Sequence, residues 1–316
     1  MEDSRIKNFP ISFFAVIMGL TGLAIAYMRA SFLGETLKSV GIALTYLATL
    51  IFCLFLLVYL IKIIKYMAQV KAEFHHPIKS SFFPTISISL LLLSIAYGSI
   101  NQSISFFMWF VGTILHFIFL VRILTYWINK EFKIEMINPA WFIPVVGTII
   151  VPIQGMKYSL DISWFFFSIG IIFWICLFTI VFYRFIFHNP LPERLYPTFF
   201  ILIAPPAVGF ISYTKIVGAI DTLSNLLFYF ALFLCIVLFA LIKKFLRLKF
   251  YISWWAYTFP LDAITIAIAM RYHITGSEFY KFLTLIALVL TTTVIGIVTI
   301  KTIYAVSKRE ICVEES

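Results

Sequence analysis

"WWAYTFPLDAITIAIAMRYH" occupies Trp254–His273. Its run of Ile, Ala, Leu and Met suits lipid, and its paired tryptophans suit the membrane interface. Yet Pro260 and Asp262 stand two residues apart inside it. A proline withdraws one backbone hydrogen bond and crowds the preceding turn. A carboxylate at membrane depth costs several kcal/mol on most scales, roughly 3 or more. In a bilayer, both are tolerated where the helix faces protein or a water-filled cavity. The segment therefore predicts an inner helix of a membrane bundle. At about 100° per residue, Asp262 lies about 60° around that helix from Phe259.

The rest of the chain agrees. Of its 316 residues, 62% are hydrophobic and 12% charged, against about 25% charged in soluble domains. A stretch of about 20 apolar helical residues crosses a bilayer core. Ten such runs are predicted, at 11–28, 40–61, 82–100, 105–128, 139–156, 162–183, 196–216, 222–242, 253–272 and 279–300. The first run lacks a small-x-small cleavage site and reads as a retained span. The short connections predict antiparallel hairpins within one transmembrane domain, residues 1–316. The net charge of +10 is spread over short loops, which argues against nucleic acid as a partner. Cys53, Cys176, Cys235 and Cys312 have no disulfide-framework spacing.

Basic residues set the orientation. The N-terminus, the 2–3, 4–5, 6–7 and 8–9 loops and the C-terminus hold 18 of the 24 Lys and Arg; the opposite side holds 6. Both termini are therefore expected in the cytoplasm of a multi-pass protein of the plasma or inner membrane.

Proline divides the spans. Pro84, Pro144, Pro152, Pro205, Pro206 and Pro260 all fall in odd-numbered spans, and span 1 carries Gly19 and Gly22. The even spans have none and are bulky, as in "WFFFSIGIIFWICLFTIVFYRF" of span 6. The expectation is five kinked inner helices and five straighter outer ones, paired as five hairpins.

Three motifs add a resemblance. "AEFHHPIKSSFFP" (Ala72–Pro84) resembles the Glu-aromatic-x-His-Pro signature of the tellurite-resistance/dicarboxylate transporter family, with Glu73, Phe74, His76 and Pro77 in place. That family includes the bacterial TehA proteins, the yeast malate permeases and the plant slow-type anion channels. "NPAWFIPVVG" (Asn138–Gly147) is similar to its fifth span, and "WWAYTFP" (Trp254–Pro260) to its ninth. The resemblance implies an all-α fold of ten transmembrane helices, with quasi-fivefold symmetry around a central pore. It also implies a homotrimer, with a pore in each protomer. The family's aromatic gate maps onto Phe259, which would block a constriction by bulk and by excluding water.

Asp262 departs from the small or neutral residue usual there. It could be protonated, paired with a neighbour such as His116, or the carrier of a coupled proton. His116 by itself reads best as a histidine bonded to a neighbouring helix backbone. Arg271 and His273 are candidates for an anion funnel at the outer mouth, or else solvated helix-end charges. Gly19, Pro84, Pro144, Gly147, Pro205, Pro206 and Pro260 are expected as kink or close-approach positions along the pore. No phosphate loop, nucleophile elbow, metal-ligand cluster or cofactor motif is found, so an enzyme is not expected. The expected function is passive passage of small monovalent anions such as chloride or nitrate, selected by ease of dehydration. The alternative is proton-coupled transport of a C4-dicarboxylate such as malate. A weaker idea, export of tellurite or a drug, rests on the family's name.

Overall fold

The computed structural model describes residues 2–313, with side chains from Arg5 onward. Ten helices of thirteen residues or more alternate between two kinds. The odd members are α1 (Phe14–Arg29), α3 (Thr85–Tyr97), α5 (Ile143–Gly155), α7 (Ala204–Val217) and α9 (Thr258–Thr275). They run to 13–18 residues. The even members are α2 (Glu35–Lys65), α4 (Gln102–Ile128), α6 (Leu160–Phe187), α8 (Thr222–Ala240) and α10 (Glu278–Ser307), of 19–31 residues. Taken with the 3-10 turns that precede the odd members, eight helices among the described residues are long and apolar enough to cross a membrane, as befits a multi-pass membrane protein. The exceptions are the shorter Pro139–Gly155 and α9, with Asp262, Arg271 and His273.

Each odd helix begins in the same unusual way. A 3-10 turn leads into it: Ile11–Phe13, Lys79–Phe82, Pro139–Phe142, Glu193–Ile203 and Ile252–Tyr257. The prolines mark these junctions. Pro84 is the residue before α3, Pro144 and Pro205 fall in the first turns of α5 and α7, and Pro260 is the third residue of α9. The first N–H groups of an α-helix have no intrahelical acceptor, so proline costs little there. The expectation of mid-helix kinks is thus corrected. Of the six span prolines, Pro152 of α5 is the one well inside an α-helix. A 13-residue α-helix is about 20 Å long, short of a hydrocarbon core of about 30 Å. The tighter, more extended lead-in makes up the difference.

Packing separates the two kinds. Burial takes in 78%, 89% and 83% of the apolar windows of the first, third and seventh elements, and 22–39% of the even ones. Every residue of α5 is buried. Each odd helix packs on the even helix that follows it. The odd helices also pack in a closed cycle: α1 on α3, α3 on α5, α5 on α7, α7 on α9, and α9 back on α1. Large apolar side chains such as Phe107, Ile172, Phe233 and Ile300 stay exposed on the even helices, where lipid is their natural partner.

Serine hydroxyls fasten the cycle. Ser212 of α7 donates to the Ile149 carbonyl of α5, and Ser89 of α3, which donates to the Thr85 carbonyl of its own helix at 2.7 Å, lies 3.3 Å from the Phe14 carbonyl of α1. In a medium without water such bonds are the available way to satisfy a hydroxyl.

Candidate functional site

A cavity of about 480 Å³ opens at the N-terminal end of the cycle. Its floor comes from the first turns of all five odd helices, through Ala15 and Met18, Thr85 and Ile88, Ile143 and Val146, Ala204, and Phe259 with Pro260. These walls are mostly apolar. Charged groups stand among the lead-ins and loops around them, including Glu73, His76, Lys79, Arg194 and Glu310. A helix N-terminus carries about half a positive charge. Five of them around one apolar cavity produce a site hospitable to negative charge without a ring of fixed cations.

The loop at this mouth is built by the Glu-Phe-x-His-Pro motif. Glu73 lies in the last turn of a short helix, Met67–Phe74. Its carboxylate pairs with Lys62 at 2.8 Å and accepts from the Tyr59 hydroxyl at 3.0 Å. Lys62 also donates to the Phe9 carbonyl at 2.8 Å. Lys62, counted as a loop cation from sequence, is instead 1% exposed and ties α2 to the lead-in of α1. His76 accepts at Nδ1 from the backbone N–H groups of Ile78 and Lys79, at 3.1 and 3.2 Å. The motif thus shapes the lead-in to α3.

Phe259 is 6% exposed and lies in the cavity wall, in the first turn of α9. Many aromatic rings here pack on one another, as Phe200 does on Tyr257 at 4.8 Å. Among the described residues the Phe259 ring has no such neighbour. Pro260 lines the same wall. The other expected pore residues, Gly19, Pro84, Pro144, Gly147, Pro205 and Pro206, do not line it. The two glycines serve helix seams instead. A methyl group at Gly19 would overlap Thr258 of α9, and one at Gly147 would overlap the His116 ring of α4.

His116 is fully buried and donates from Nε2 to the Pro144 carbonyl at 2.7 Å. Its Nδ1 is left to accept from Ser87 Oγ at 2.9 Å. The ring therefore joins α3, α4 and α5, as a backbone-bonded histidine should, and it does not pair with Asp262.

Asp262 is fully buried and neither carboxylate oxygen has a hydrogen-bond partner. It lines no part of the cavity. Its side chain lies against Gly22 of α1, where a methyl group would overlap it. The rotation of about 60° from Phe259 carries it from the axis into the α1–α9 seam.

Arg271 is also turned away from open water. It is 7% exposed, with its guanidinium over the rings of Phe228, Tyr229 and Tyr280 at 4.7, 5.0 and 5.4 Å. His273 is exposed and its Nε2 donates to the Arg29 carbonyl at 3.0 Å. At this end Lys157 donates to the Gly98 carbonyl at 3.3 Å and Lys215 to the Ile153 carbonyl at 2.8 Å.

Similarity to known proteins agrees with the geometry. The profile of the voltage-dependent anion channel family matches residues 8–303. An uncharacterised transporter of Methanocaldococcus jannaschii is 30% identical over 89% of this chain and 90% of its own. The S-type anion channel SLAH2 of Arabidopsis thaliana is 29% identical over 97% of this chain and 61% of its own. A tellurite resistance protein TehA homologue of Haemophilus influenzae is 25% identical over 98% of this chain and 94% of its own. With the match running from before the first lead-in to the last helix, this chain belongs to the voltage-dependent anion channel family, alongside the plant S-type channels and TehA.

Proposed function

We propose that the chain is an anion channel whose pore follows the axis of the five odd helices, with Phe259 as its gate. The observation that carries this reading is the cavity itself. It reaches from the mouth to the first turns of every odd helix and has Phe259 in its wall. Chloride and nitrate are the proposed permeant ions. Apolar walls favour anions that lose hydration easily, and the helix N-termini offset part of the charge-burial cost. The closed cycle supports ten membrane spans in five hairpins, with quasi-fivefold symmetry, as a single domain. The excess of basic residues on the side of both termini supports a cytoplasmic location for them. Exposed apolar faces on the even helices are compatible with a homotrimer in the bilayer. Protein in liposomes, loaded with nitrate or chloride and assayed for flux, tests the proposal. Electrogenic flux that follows the anion gradient is expected. Flux that requires a proton gradient would instead favour dicarboxylate coupling. The placement of Asp262 in a helix seam supports the channel reading over that alternative.

A further inference from the structure

Arg271 is a buried cation without a counter-charge. It lies in the last turns of α9, at the end of the bundle away from the cavity, and reaches from the inner ring to α8 and α10. It is 7% exposed. Its Nε and Nη1 have no hydrogen-bond partner. Among the described residues no carboxylate pairs with it. The acid of the adjoining α10 turn, Glu278, pairs with Lys281 at 3.2 Å instead. Lys62 makes the contrast plain: it is buried too, and Glu73 meets it at 2.8 Å. A charge withdrawn from water is costly unless it is paired, and arginine does not shed its charge as lysine can. The faces of Phe228, Tyr229 and Tyr280 attract the guanidinium but do not neutralise it.

Two tyrosine hydroxyls carry the cluster to the surface. Arg271 Nη2 donates to the Tyr229 hydroxyl at 3.3 Å. That hydroxyl is also 3.3 Å from the hydroxyl of Tyr280, at an exposed contact. The pair holds two hydroxyl protons and shares one bond between them. Whichever tyrosine donates, one proton is left for an outside acceptor. An acceptor placed there would meet a hydroxyl polarised by the guanidinium behind it.

The surroundings say which acceptor fits. Tyrosines of this kind mark the membrane interface. Further into the membrane, Phe233 of α8 and Ile286 of α10 expose large apolar side chains. A lipid headgroup at the hydroxyls would therefore lay its acyl chains along these residues. With Glu278 engaged by Lys281, no free carboxylate beside Arg271 is left to receive a lipid ammonium.

We propose that Arg271, Tyr229 and Tyr280 bind the phosphate of an anionic phospholipid, in the leaflet away from the cavity. The lipid supplies the counter-charge that the chain omits and joins the end of α9 to α8 and α10. This site goes beyond the channel reading and does not depend on it.

Native mass spectrometry of the detergent-solubilised full chain, titrated with phosphatidylglycerol, tests the site. Wild type should retain phosphatidylglycerol in preference to phosphatidylcholine. Arg271→Met should weaken that retention by about tenfold or more, as expected for hydrogen bonds to a charged group. Because Arg271→Met removes a packed side chain, Tyr229→Phe/Tyr280→Phe provides a second test that keeps every ring. It should weaken retention about three- to tenfold. Lys281→Gln should retain the lipid like wild type. Unchanged retention in either folded variant would overturn the site, and equal retention of phosphatidylcholine by wild type would overturn the choice of an anionic lipid. Displacement of phosphatidylglycerol by millimolar inorganic phosphate would reassign the cluster to a free anion. Dissociation of an oligomer in the variants without loss of lipid would assign this face to a second copy of the chain and also overturn the proposal.

Discussion

The Asp262 carboxylate of α9 lies against Gly22 of α1, so closely that a single methyl group at Gly22 would collide with it. This contact closes the cycle of odd helices. It joins α1 to α9, and an unpartnered acid sits within it.

Two variants separate packing from charge at that seam. Gly22→Leu should lower thermal stability in detergent, because overpacking a filled seam costs about 1–3 kcal/mol. Asp262→Asn keeps the shape and removes the possibility of a buried charge. It should leave stability within about 1 kcal/mol of wild type and preserve passive anion flux. A loss of gradient-driven accumulation in Asp262→Asn, with wild type accumulating, would instead make Asp262 a proton carrier.

His116 should matter to stability rather than to conduction. Its ring bonds the Pro144 carbonyl and Ser87, and covers Gly147. His116→Ala removes both bonds and opens a void, at a cost of about 2–5 kcal/mol. A fall in melting temperature with anion selectivity retained is the expected pair of results. Altered selectivity at unchanged stability would place the imidazole in the ion path.

Topology is open to a direct check. Cysteines introduced at the exposed Lys71 and Lys249 should react with an impermeant thiol reagent from one side of the membrane. Those at the exposed Lys157 and Glu278 should react from the other. A mixed pattern within either pair would require a different number of spans.

Much of the inner and outer division is legible in the sequence, because proline is tolerated at few places in a membrane helix. What the prolines do there is less legible. Pro84, Pro144, Pro205 and Pro260 signal disruption equally well whether they kink a helix or begin one. The 3-10 lead-ins decide between these, and short tight helices leave no periodic signature. Phe259 and Asp262 show a second limit. Three residues apart on one helix, they differ by a rotation of about 60°, enough to send one to the cavity and the other to a seam. Helix packing, not local sequence, fixes that rotation. Long cations show a third. Arg271 and Lys62 both lie near helix ends, yet one folds onto aromatic rings and the other reaches the partly buried Glu73 carboxylate.

The central claim is that the Phe259 ring closes an axial path, and anion conductance of Phe259→Ala in a planar bilayer tests it most directly. Removing the ring leaves a gap that the helix backbone fills only in part. The account predicts conductance at least tenfold above wild type, from a protein that elutes and melts like wild type. A folded Phe259→Ala variant that conducts no more than wild type would contradict it.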